Sequence, residues 1–564
     1  MKQKQIIALV SATALAATAL AGCGKTSEEN TQTTAVSEAE GTAKEDLPFS
    51  KYPETVTVHL GGSMDPNAKL PDGMSYDDNS YTRLLKDDLN IEVVYDWVTS
   101  SSDFDEKMNL CIGSGTIPEL MNVKATQYRA LLKYDMIQPL DQYFEDYASD
   151  ILKGYVESGG EELKKCISND KGEMMAIPAP SMMGGEANEM WIRQDWLDEL
   201  GLEAPTTIEE LETVAKAFVD NKMGGENTIG IVGPTINGAV YNTFLSTNNL
   251  NNLDGIFQAY QAYPGYWVQD EEGKAVYGST TEQTKEALAE LNKMYEDGIL
   301  DQELGVRKDA DEAWKSGKVG ILFSPWWHGY NVKDGIANEP DMEWKAYAAP
   351  LAADGQWYAK LAGVGGSYCV VRKGYEHPEA AFLLNNYLRV NEGTFQSETD
   401  LDLSYYPGRV VITPLDENTY SVQALNAEMK GEEVPEFDPL NYKLLQADLA
   451  ALPDCLEAPY DDMSIEKWNT DNTNFGRLYS LLMGSSAVEE ASAEGIVNKV
   501  YSITYTQTET MERKWTNLKK KEDETFLKII IGEEPIEAFD TFVEEWNAEG
   551  GAEITEEVQA LTEK

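Results

Sequence analysis

The chain has 564 residues, of which 42% are hydrophobic and 25% charged, a length and composition that allow two or three domains with complete cores. Its formal net charge of −53 at pH 7 argues against binding to nucleic acid or anionic lipid head groups, and weakly against a polyanionic ligand. The five cysteines form no C-x-x-C pair and there are only three histidines, which argues against zinc or iron–sulfur chemistry.

Residues 1–22 have the pattern of a lipoprotein signal peptide. Lys2 and Lys4 precede an apolar, alanine-rich stretch over residues 6–20 that is short for a membrane span. It ends in Leu-Ala-Gly-Cys, which resembles a bacterial lipobox, in which Cys23 would receive the lipid and become the new N-terminus. Residues 23–50 contain few large apolar side chains, so we expect a disordered tether. The alternative is an ordinary secretory cleavage beside a chance cysteine.

Strands and helices alternate after the tether, which predicts a parallel α/β sheet. The predicted strands cover residues 55–60, 91–98 and 118–123, and the predicted helices between them cover 81–89 and 103–113. Gly61-Gly62-Ser63 predicts a turn at the carboxyl end of the first strand, where open α/β sheets bind ligands. Asp65 after this turn and Trp97 at the end of the second strand are therefore candidate ligand contacts.

Residues 188–218 predict a strand followed by two helices. The strand covers 190–193, and Asp195 is expected to cap the next helix, which Gly201 ends. A capping box, Thr206 with Glu209 or Thr207 with Glu210, starts the second helix. The sequence R-Q-D-W-L-D-E-L-G-L-E-A-P-T-T-I-E-E-L resembles the R-x-D-W-L-x-x-L-G-L-x-x-P-x-T-x-x-E-L block of large extracellular solute-binding proteins. These are lipid-anchored, maltose-binding-protein-like receptors of ABC importers, including the lipoprotein and alginate-binding branch.

Further segments resemble the same family. They are Y-E-D-G-I-L-D-Q-E at 295–303, W-K-S-G-K-V-G-I at 314–321, and the tail from 526 to 558 with F-D-T-F-V-E-E-W and G-G-A-E-I-T-E-E-V. Between them we predict a β-hairpin over 263–278, a helix capped by Ser279 with Glu282, and an apolar strand over 363–371. Residues 405–460 are predicted to be irregular and acidic.

The resemblance implies a two-lobed α/β fold of the large type II periplasmic-binding-protein class, with a ligand cleft between the lobes. Residues 51–187 are expected to form the first part of lobe 1 and 188–365 that of lobe 2. Residues 366–470 would return to lobe 1, and 471–564 would form a helical segment that crosses between the lobes and completes both. The strands at 190–193 and 363–371 would be the two crossovers.

Relatives often carry a calcium-binding loop near residues 220–227. Here that segment lacks the D-x-[DN]-x-[DN]-G spacing and contains Lys222, so we expect no metal and no other cofactor.

A sugar site needs flat aromatic rings for the C–H faces and polar side chains for the hydroxyl groups. The chain has 12 Trp and 29 Tyr, and several lie at predicted strand ends. For each ring the alternative is packing beneath a loop, and for Arg193 it is a salt bridge at the crossover. The candidate ligand contacts are Trp326, Trp327, Trp267, Trp357, Tyr330, Tyr266, Asp65, Arg193 and Trp97.

The sequence thus predicts a monomeric, lipid-anchored receptor on the extracellular face of the cell membrane. It would capture an oligosaccharide by hinge closure and deliver it to ABC permease subunits, with no catalysis of its own. The G-x-S-x-G, H-E-x-x-H and P-loop motifs are absent. Two alternatives stay open. One is a surface-anchored glycosidase, which needs only two of the 98 acidic residues, and the other is a peptide-binding receptor.

Overall fold

The structure is a computed structural model. It describes residues 47–63, 70–71, 73–100, 103–180, 187–236, 238–247, 249–398, 401, 403–410 and 414–562. The predicted signal peptide, Cys23, the tether as far as residue 46 and Asp65 lie outside these ranges. No helix within them is both long and apolar enough to cross a membrane.

The secondary structure alternates between strands and helices in the first half and becomes mainly helical in the second. The strands are β1 (Val56–Ser63), β2 (Ile91–Thr99), β3 (Leu120–Lys124), β4 (Ile177–Pro180), β5 (Asn188–Arg193), β6 (Ile229–Ile231), β7 (Trp267–Gln269), β8 (Ala275–Tyr277), β9 (Val319–Pro325), β10 (Trp344–Tyr347), β11 (Trp357–Lys360), β12 (Gly365–Val371) and β13 (Val497–Val500).

The α-helices are α1 (Ser80–Leu89), α2 (Phe104–Ser114), α3 (Ala125–Lys133), α4 (Asp141–Tyr147), α5 (Asp150–Ser158), α6 (Gly160–Ile167), α7 (Gln194–Leu200), α8 (Ile208–Asp220), α9 (Asp254–Ala259), α10 (Glu282–Glu296), α11 (Ala310–Lys315), α12 (Val332–Ile336), α13 (Ala380–Glu398), α14 (Glu417–Lys430), α15 (Lys443–Cys455), α16 (Phe475–Tyr479), α17 (Ser486–Glu494), α18 (Glu509–Ile530), α19 (Ala538–Trp546) and α20 (Ala552–Thr562). Short 3-10 helices include Trp326–Asn331, and a π-helical turn covers Ser480–Ser485.

Two sheets divide the described chain into two lobes. The first sheet has the strand order β2-β1-β3-β12-β4, in which β1 is parallel to β2 and β3, whereas β12 is antiparallel to both β3 and β4. The second sheet has the order β10-β5-β9-β6, in which β5 is antiparallel to β9 and β10. Each sheet has its own hydrophobic core, which supports the two-lobed α/β architecture expected from the sequence.

Strand β5 is buried along its whole length because the second sheet is covered on both faces. Met190 and Ile192 belong to the core that also contains helices α8, α10 and α18. Trp191, whose side chain points the opposite way, belongs to a further core built with α14, α15 and α16. A strand between two layers of helices has no face left for water, which explains why even Asn188, Glu189 and Arg193 are buried.

The segments that contribute to each core differ from those that the sequence predicted for each lobe. Buried residues after β12 join the first core only as far as Val410. Helices α14 and α15 instead contribute Val422, Leu425 and Leu452 to the core beside β5. The expected return of residues 366–470 to lobe 1 is therefore too long, and the expected irregular region over 405–460 is wrong because it contains these two helices.

Several local predictions can be compared with the structure. The Thr207–Glu210 capping box and the left-handed residue Gly201 are confirmed, as is the hairpin of β7 and β8. The caps at Asp195 and Ser279 are wrong: Asp195 is turned toward Arg193, and Thr281 caps α10.

The predicted turn at 61–63 is also wrong, because β1 continues to Ser63. Glycine is needed there for another reason: a Cβ on Gly61 would lie 2.3 Å from the Trp97 ring.

Strand β11 is tied to the second lobe by a buried ion pair. The Lys360 ammonium donates to Asp254 Oδ1 at 2.7 Å and to the carbonyl oxygens of Asn242 and Pro264 at 2.6 and 2.7 Å. Both charged side chains are fully buried. Three acceptors match the three N–H groups of an ammonium, so the pair is charged and completely hydrogen-bonded on the lysine side.

We expect Lys360→Met to lower the free energy of unfolding by about 3–5 kcal/mol, because it leaves the Asp254 carboxylate buried and unpaired. Denaturant unfolding of both proteins measures the difference. Lys499→Met on the neighbouring strand β13, where the side chain is exposed, is the control and should change stability by less than about 0.5 kcal/mol. Equal losses in the two variants would show that the ion pair does not hold β11.

Candidate functional site

The ends of the central strands lie at the boundary between the lobes. Gly365 at the start of β12 pairs with Pro180 at the end of β4, and Ser367 pairs with Lys124 at the end of β3. In the second sheet, Asn188 at the start of β5 pairs with Pro325 at the end of β9. Pro180 and Asn188 are joined by a segment that can span at most about 28 Å. The carboxyl ends of β3 and β9 therefore lie at the ends of the two sheets that this segment joins.

An aromatic turn follows directly on β9. We use this name for the 3-10 helix Trp326–Asn331, which begins where the seven buried residues of β9 end. Trp326 and Trp327 are half-buried, and Tyr330 is 45% exposed with its ring 6.1 Å from that of Trp326. Neither indole N–H has a hydrogen-bond partner among the described residues. The turn thus presents partly accessible rings, whereas both indole nitrogens are buried.

The aromatic turn is held from behind by the π-helical turn Ser480–Ser485. A Cβ on Gly329 would lie 2.6 Å from Ser480 Oγ, and a Cβ on Gly484 would lie 2.7 Å from the Trp326 carbonyl oxygen. Glycine is therefore required on both surfaces for this close approach. π-Helical turns in proteins are frequently found at functional sites. Backbone packed this tightly fixes the position of the tryptophan rings.

His328 points away from the boundary into a box of tryptophans. Its ring makes edge contacts with Trp191, Trp314 and Trp344 at centroid distances of 5.2, 4.8 and 6.0 Å. Burial lowers the pKa of His328 to about 4, an effect that nearby Lys315 reinforces and Asp311 opposes. The imidazole is therefore neutral at physiological pH and serves as a packing residue beneath the turn.

Trp97 lies at the edge of the first lobe, near the carboxyl end of β2. Its ring packs across Gly61 and against Phe104, at a centroid distance of 5.7 Å, and the Lys107 ammonium lies 5.7 Å from the ring centroid. The side chain is half-buried, and its indole N–H has no partner among the described residues. It remains a candidate contact from the first lobe.

Three other aromatic candidates are core residues. Trp267 is fully buried beside Tyr277 and Trp546. The Tyr266 hydroxyl donates to the Leu361 carbonyl oxygen at 2.8 Å, and Trp357 is 1% exposed in a small core with Leu361. Rings without accessible surface cannot stack on a ligand. Trp267, Tyr266 and Trp357 are therefore packing residues in this structure.

Arg193 is also buried, and the structure explains why. Its guanidinium donates to both carboxylate oxygens of Asp195, at 2.8 and 2.6 Å, and to Glu339 at 3.0 Å. It also lies 4.5 Å from the Trp196 ring. These contacts stabilise its charge in a fully buried position, so Arg193 is a structural ion-pair residue at the end of β5.

An ion pair between Lys222 and Glu226 lies within the segment 220–227. Lys222 donates to both carboxylate oxygens of Glu226 at 2.8 and 2.9 Å. Within the described part of the chain, no three His, Cys, Asp or Glu side chains are grouped so that they could hold a metal ion.

Sequence reasoning missed the π-helical turn that backs the aromatic turn. The segment Ser-Leu-Leu-Met-Gly-Ser has no pattern that marks a π-helix, since the role of Gly484 depends on its contacts with Trp326 and Trp191. A glycine inside a helical pattern was the available signal, and it indicates close packing without naming the partner.

Comparisons with known proteins agree with this architecture. The sequence profile of the family described as bacterial extracellular solute-binding protein matches residues 68–394. A polygalacturonan/rhamnogalacturonan-binding protein of Bacillus subtilis (strain 168) is 21% identical over 480 residues, which cover 83% of this chain and 85% of the relative. The lipoprotein LipO of the same strain is 22% identical over 486 residues, 83% of this chain and 86% of the relative.

A solved structure has a similar fold. The HMO-binding, ABC-transporter-associated solute-binding protein from Bifidobacterium longum infantis ATCC 15697 superposes with a TM-score of 0.56 at 14% identity. The match covers 91% of this chain and 99% of that protein.

The buried imidazole of His328 makes stability depend on pH. Its pKa of about 4 lies below the ordinary value of 6.5, so the unfolded chain binds this proton more readily between those two values. The stability that the neutral, buried imidazole contributes is fully present above pH 6.5 and is lost as the pH falls toward 4. Between pH 7 and pH 5 we expect the wild type to lose up to about 2 kcal/mol more than His328→Phe, measured by denaturant unfolding. His59→Phe, at a half-exposed histidine, is the control, and identical pH slopes for wild type and His328→Phe would contradict the assignment.

Proposed function

The chain belongs to the family of bacterial extracellular solute-binding proteins, and we propose that it is a receptor that captures an oligosaccharide between its two lobes. The observation that carries this proposal is the aromatic turn at the end of β9. Partly accessible indole rings suit the C–H faces of a sugar. The sugar-binding names of one relative and of the solved structure with a similar fold support the same ligand class.

We propose that the ligand contacts are Trp326, Trp327 and Tyr330 in the second lobe and Trp97 in the first. Rings on both lobes would gain contact with the ligand only when the lobes approach each other. Ligand binding would then favour the closed arrangement by the difference in contact energy between open and closed forms.

Three crossings would allow such a movement. The described chain leaves the first lobe after Pro180, returns to it at 361–364 and leaves it again after Val410, and each lobe buries its own sheet. Motion about these segments leaves both cores intact. The crossing at 361–364 follows directly on Lys360, whose buried ion pair would make β11 move with the second lobe.

The same proposal includes a lipid anchor at Cys23, an extracellular position and delivery of the sugar to ABC permease subunits. The Leu-Ala-Gly-Cys sequence supports the anchor, and the relative named as a lipoprotein agrees with it. The receptor would be monomeric and make or break no bond in its ligand. The proposed glycosidase alternative predicts instead that purified protein shortens the glycan.

Replacing Trp326 and Trp327 together with Ala should weaken binding of a recognised glycan by at least about 2 kcal/mol, or roughly thirtyfold in Kd. The ligand is found first by thermal shift with a panel of neutral and acidic oligosaccharides, because a bound ligand raises Tm. Calorimetry then gives Kd for wild type and variant, and chromatography of the recovered glycan tests for cleavage.

Tyr134→Ala is the control for this experiment, since Tyr134 is 60% exposed on α3's C-terminal side and outside the proposed site. It should leave Kd unchanged. An unchanged Kd in the double tryptophan variant would remove the aromatic turn from the site, and shortened glycan would favour the enzyme.

Cys23→Ser should abolish lipid attachment, so that the protein leaves the membrane fraction. Acyl chains add about 0.8 kcal/mol of membrane affinity per buried CH₂ group, so their loss has a large effect. Fractionation of cells that express each form, with metabolic labelling by radioactive palmitate, measures it. Cys111→Ser, at a buried cysteine, is the control; equal labelling of wild type and Cys23→Ser would refute the anchor.

A further inference from the structure

The arginines of this chain are almost all neutralised by a neighbouring carboxylate. Eight of the nine have a carboxylate oxygen within 4.0 Å, and Arg129 is the exception among the residues that the structure describes. In a chain with 98 acidic and 45 basic residues, an arginine without a carboxylate is unexpected. The paired arginines are Arg83, Arg193, Arg307, Arg372, Arg389, Arg409, Arg477 and Arg513.

Arg129 lies at the boundary between the lobes. It belongs to α3, which starts at Ala125 directly after β3 and so at the interlobe edge of the first sheet. Its Nη1 donates to Thr504 Oγ1 at 3.1 Å. Thr504 is in the segment between β13 and α18, where the adjacent Ile503 packs against a core of the second lobe. The guanidinium therefore reaches from one lobe to the other.

The guanidinium is accessible but poorly solvated. The side chain is exposed, yet desolvation by the surrounding protein lowers the pKa of Arg129, against the opposing effects of the Tyr368 phenol and the Cys166 thiol. The exposed side chain is thus partly surrounded by protein. Apart from the bond to Thr504, its N–H groups have no acceptor among the described residues, and the group stays protonated at physiological pH.

Aromatic rings lie at the same boundary. Tyr501 and Tyr505 follow β13 and are both half-buried. A Cβ on Gly363 would lie 2.8 Å from the Tyr505 ring, so this ring covers the crossing at 361–364. An exposed guanidinium and partly accessible phenol rings at one boundary combine a receptor for an anion with surfaces for sugar rings.

We propose that Arg129 binds a carboxylate of the ligand, so that the captured oligosaccharide contains an acidic sugar. This inference rests on the proposed function of a sugar receptor and narrows its ligand class. The planar guanidinium matches a carboxylate with two parallel hydrogen bonds, whereas the hydroxyl groups of a neutral sugar leave its charge uncompensated. The net charge of −53 argues only weakly against an acidic ligand, because at physiological ionic strength charges beyond about 8 Å are largely screened.

The test uses pairs of oligosaccharides of the same length whose carboxylates are either free or esterified. The probes are trigalacturonate, glucuronoxylotriose and sialyllactose, each with its neutral methyl ester. Calorimetry with the full chain measures Kd for wild type, Arg129→Gln, Arg129→Lys and the control Arg513→Gln. Arg513 is an exposed arginine paired with Glu509, outside the boundary. Thermal unfolding of each variant without ligand verifies that it is folded.

We expect at least one acidic probe to bind, with its neutral partner weaker by about tenfold or more. Arg129→Gln should remove this preference, with a Kd for the acidic probe about tenfold higher and that for the neutral probe within about twofold of wild type. The Kd of Arg129→Lys for the acidic probe should lie between those of wild type and Arg129→Gln, and added NaCl should weaken binding of this probe more in wild type and Arg129→Lys than in Arg129→Gln.

Two results would overturn the assignment while leaving the sugar receptor in place. One is wild-type binding of neutral probes without preference for their acidic partners. The other is a preference for the acidic probe that survives in Arg129→Gln. Binding of none of the six probes counts against both this inference and the proposed function.

Discussion

Burial of the second sheet on both faces is the constraint on which the candidate site depends. Strands β5 and β9 are covered by helices of two separate cores, so neither can shift along its axis without exposing apolar side chains of one core or the other. This fixes the point where β9 ends and the chain turns into Trp326 and Trp327. The contact between Gly484 and the Trp326 backbone then holds the turn against the π-helical segment. The rings at the boundary are thus placed by packing that lies entirely inside the second lobe.

The elements that could be predicted well from the sequence are those determined by interactions between residues close together in the chain. The capping box at Thr207, the end of a helix at Gly201 and the hairpin before α10 depend on residues a few positions apart, and the structure has them. The family resemblance of the 188–218 block gave the two-lobed architecture. Helices α14 and α15 were missed because their apolar residues are interrupted by charge and by Pro453, and only the core around Trp191 gives them a surface to cover.

The site was harder to predict for a physical reason. An aromatic residue at a strand end has the same local sequence whether it faces solvent or a core. Trp326 and Trp267 both follow this pattern, but α19 and β8 cover Trp267 with Trp546 and Tyr277, and nothing comparable covers Trp326 completely. The sequence contained no signal for Arg129. It differs from the other eight arginines only in having no carboxylate nearby in space among the described residues. Long-range contacts decide both cases, and these are visible only once the fold is known.

Strand β12 lies between β3 and β4 in the first sheet, although more than a hundred residues of the second lobe separate it from them in the chain. A polypeptide that emerges from its N-terminus therefore cannot complete the first sheet until most of the second lobe has been synthesised. Until then β3 and β4 expose unpaired backbone groups, which are open to mispairing with other chains. Because the lobes are interleaved along the chain, completion of the first sheet is a late step in the formation of this fold.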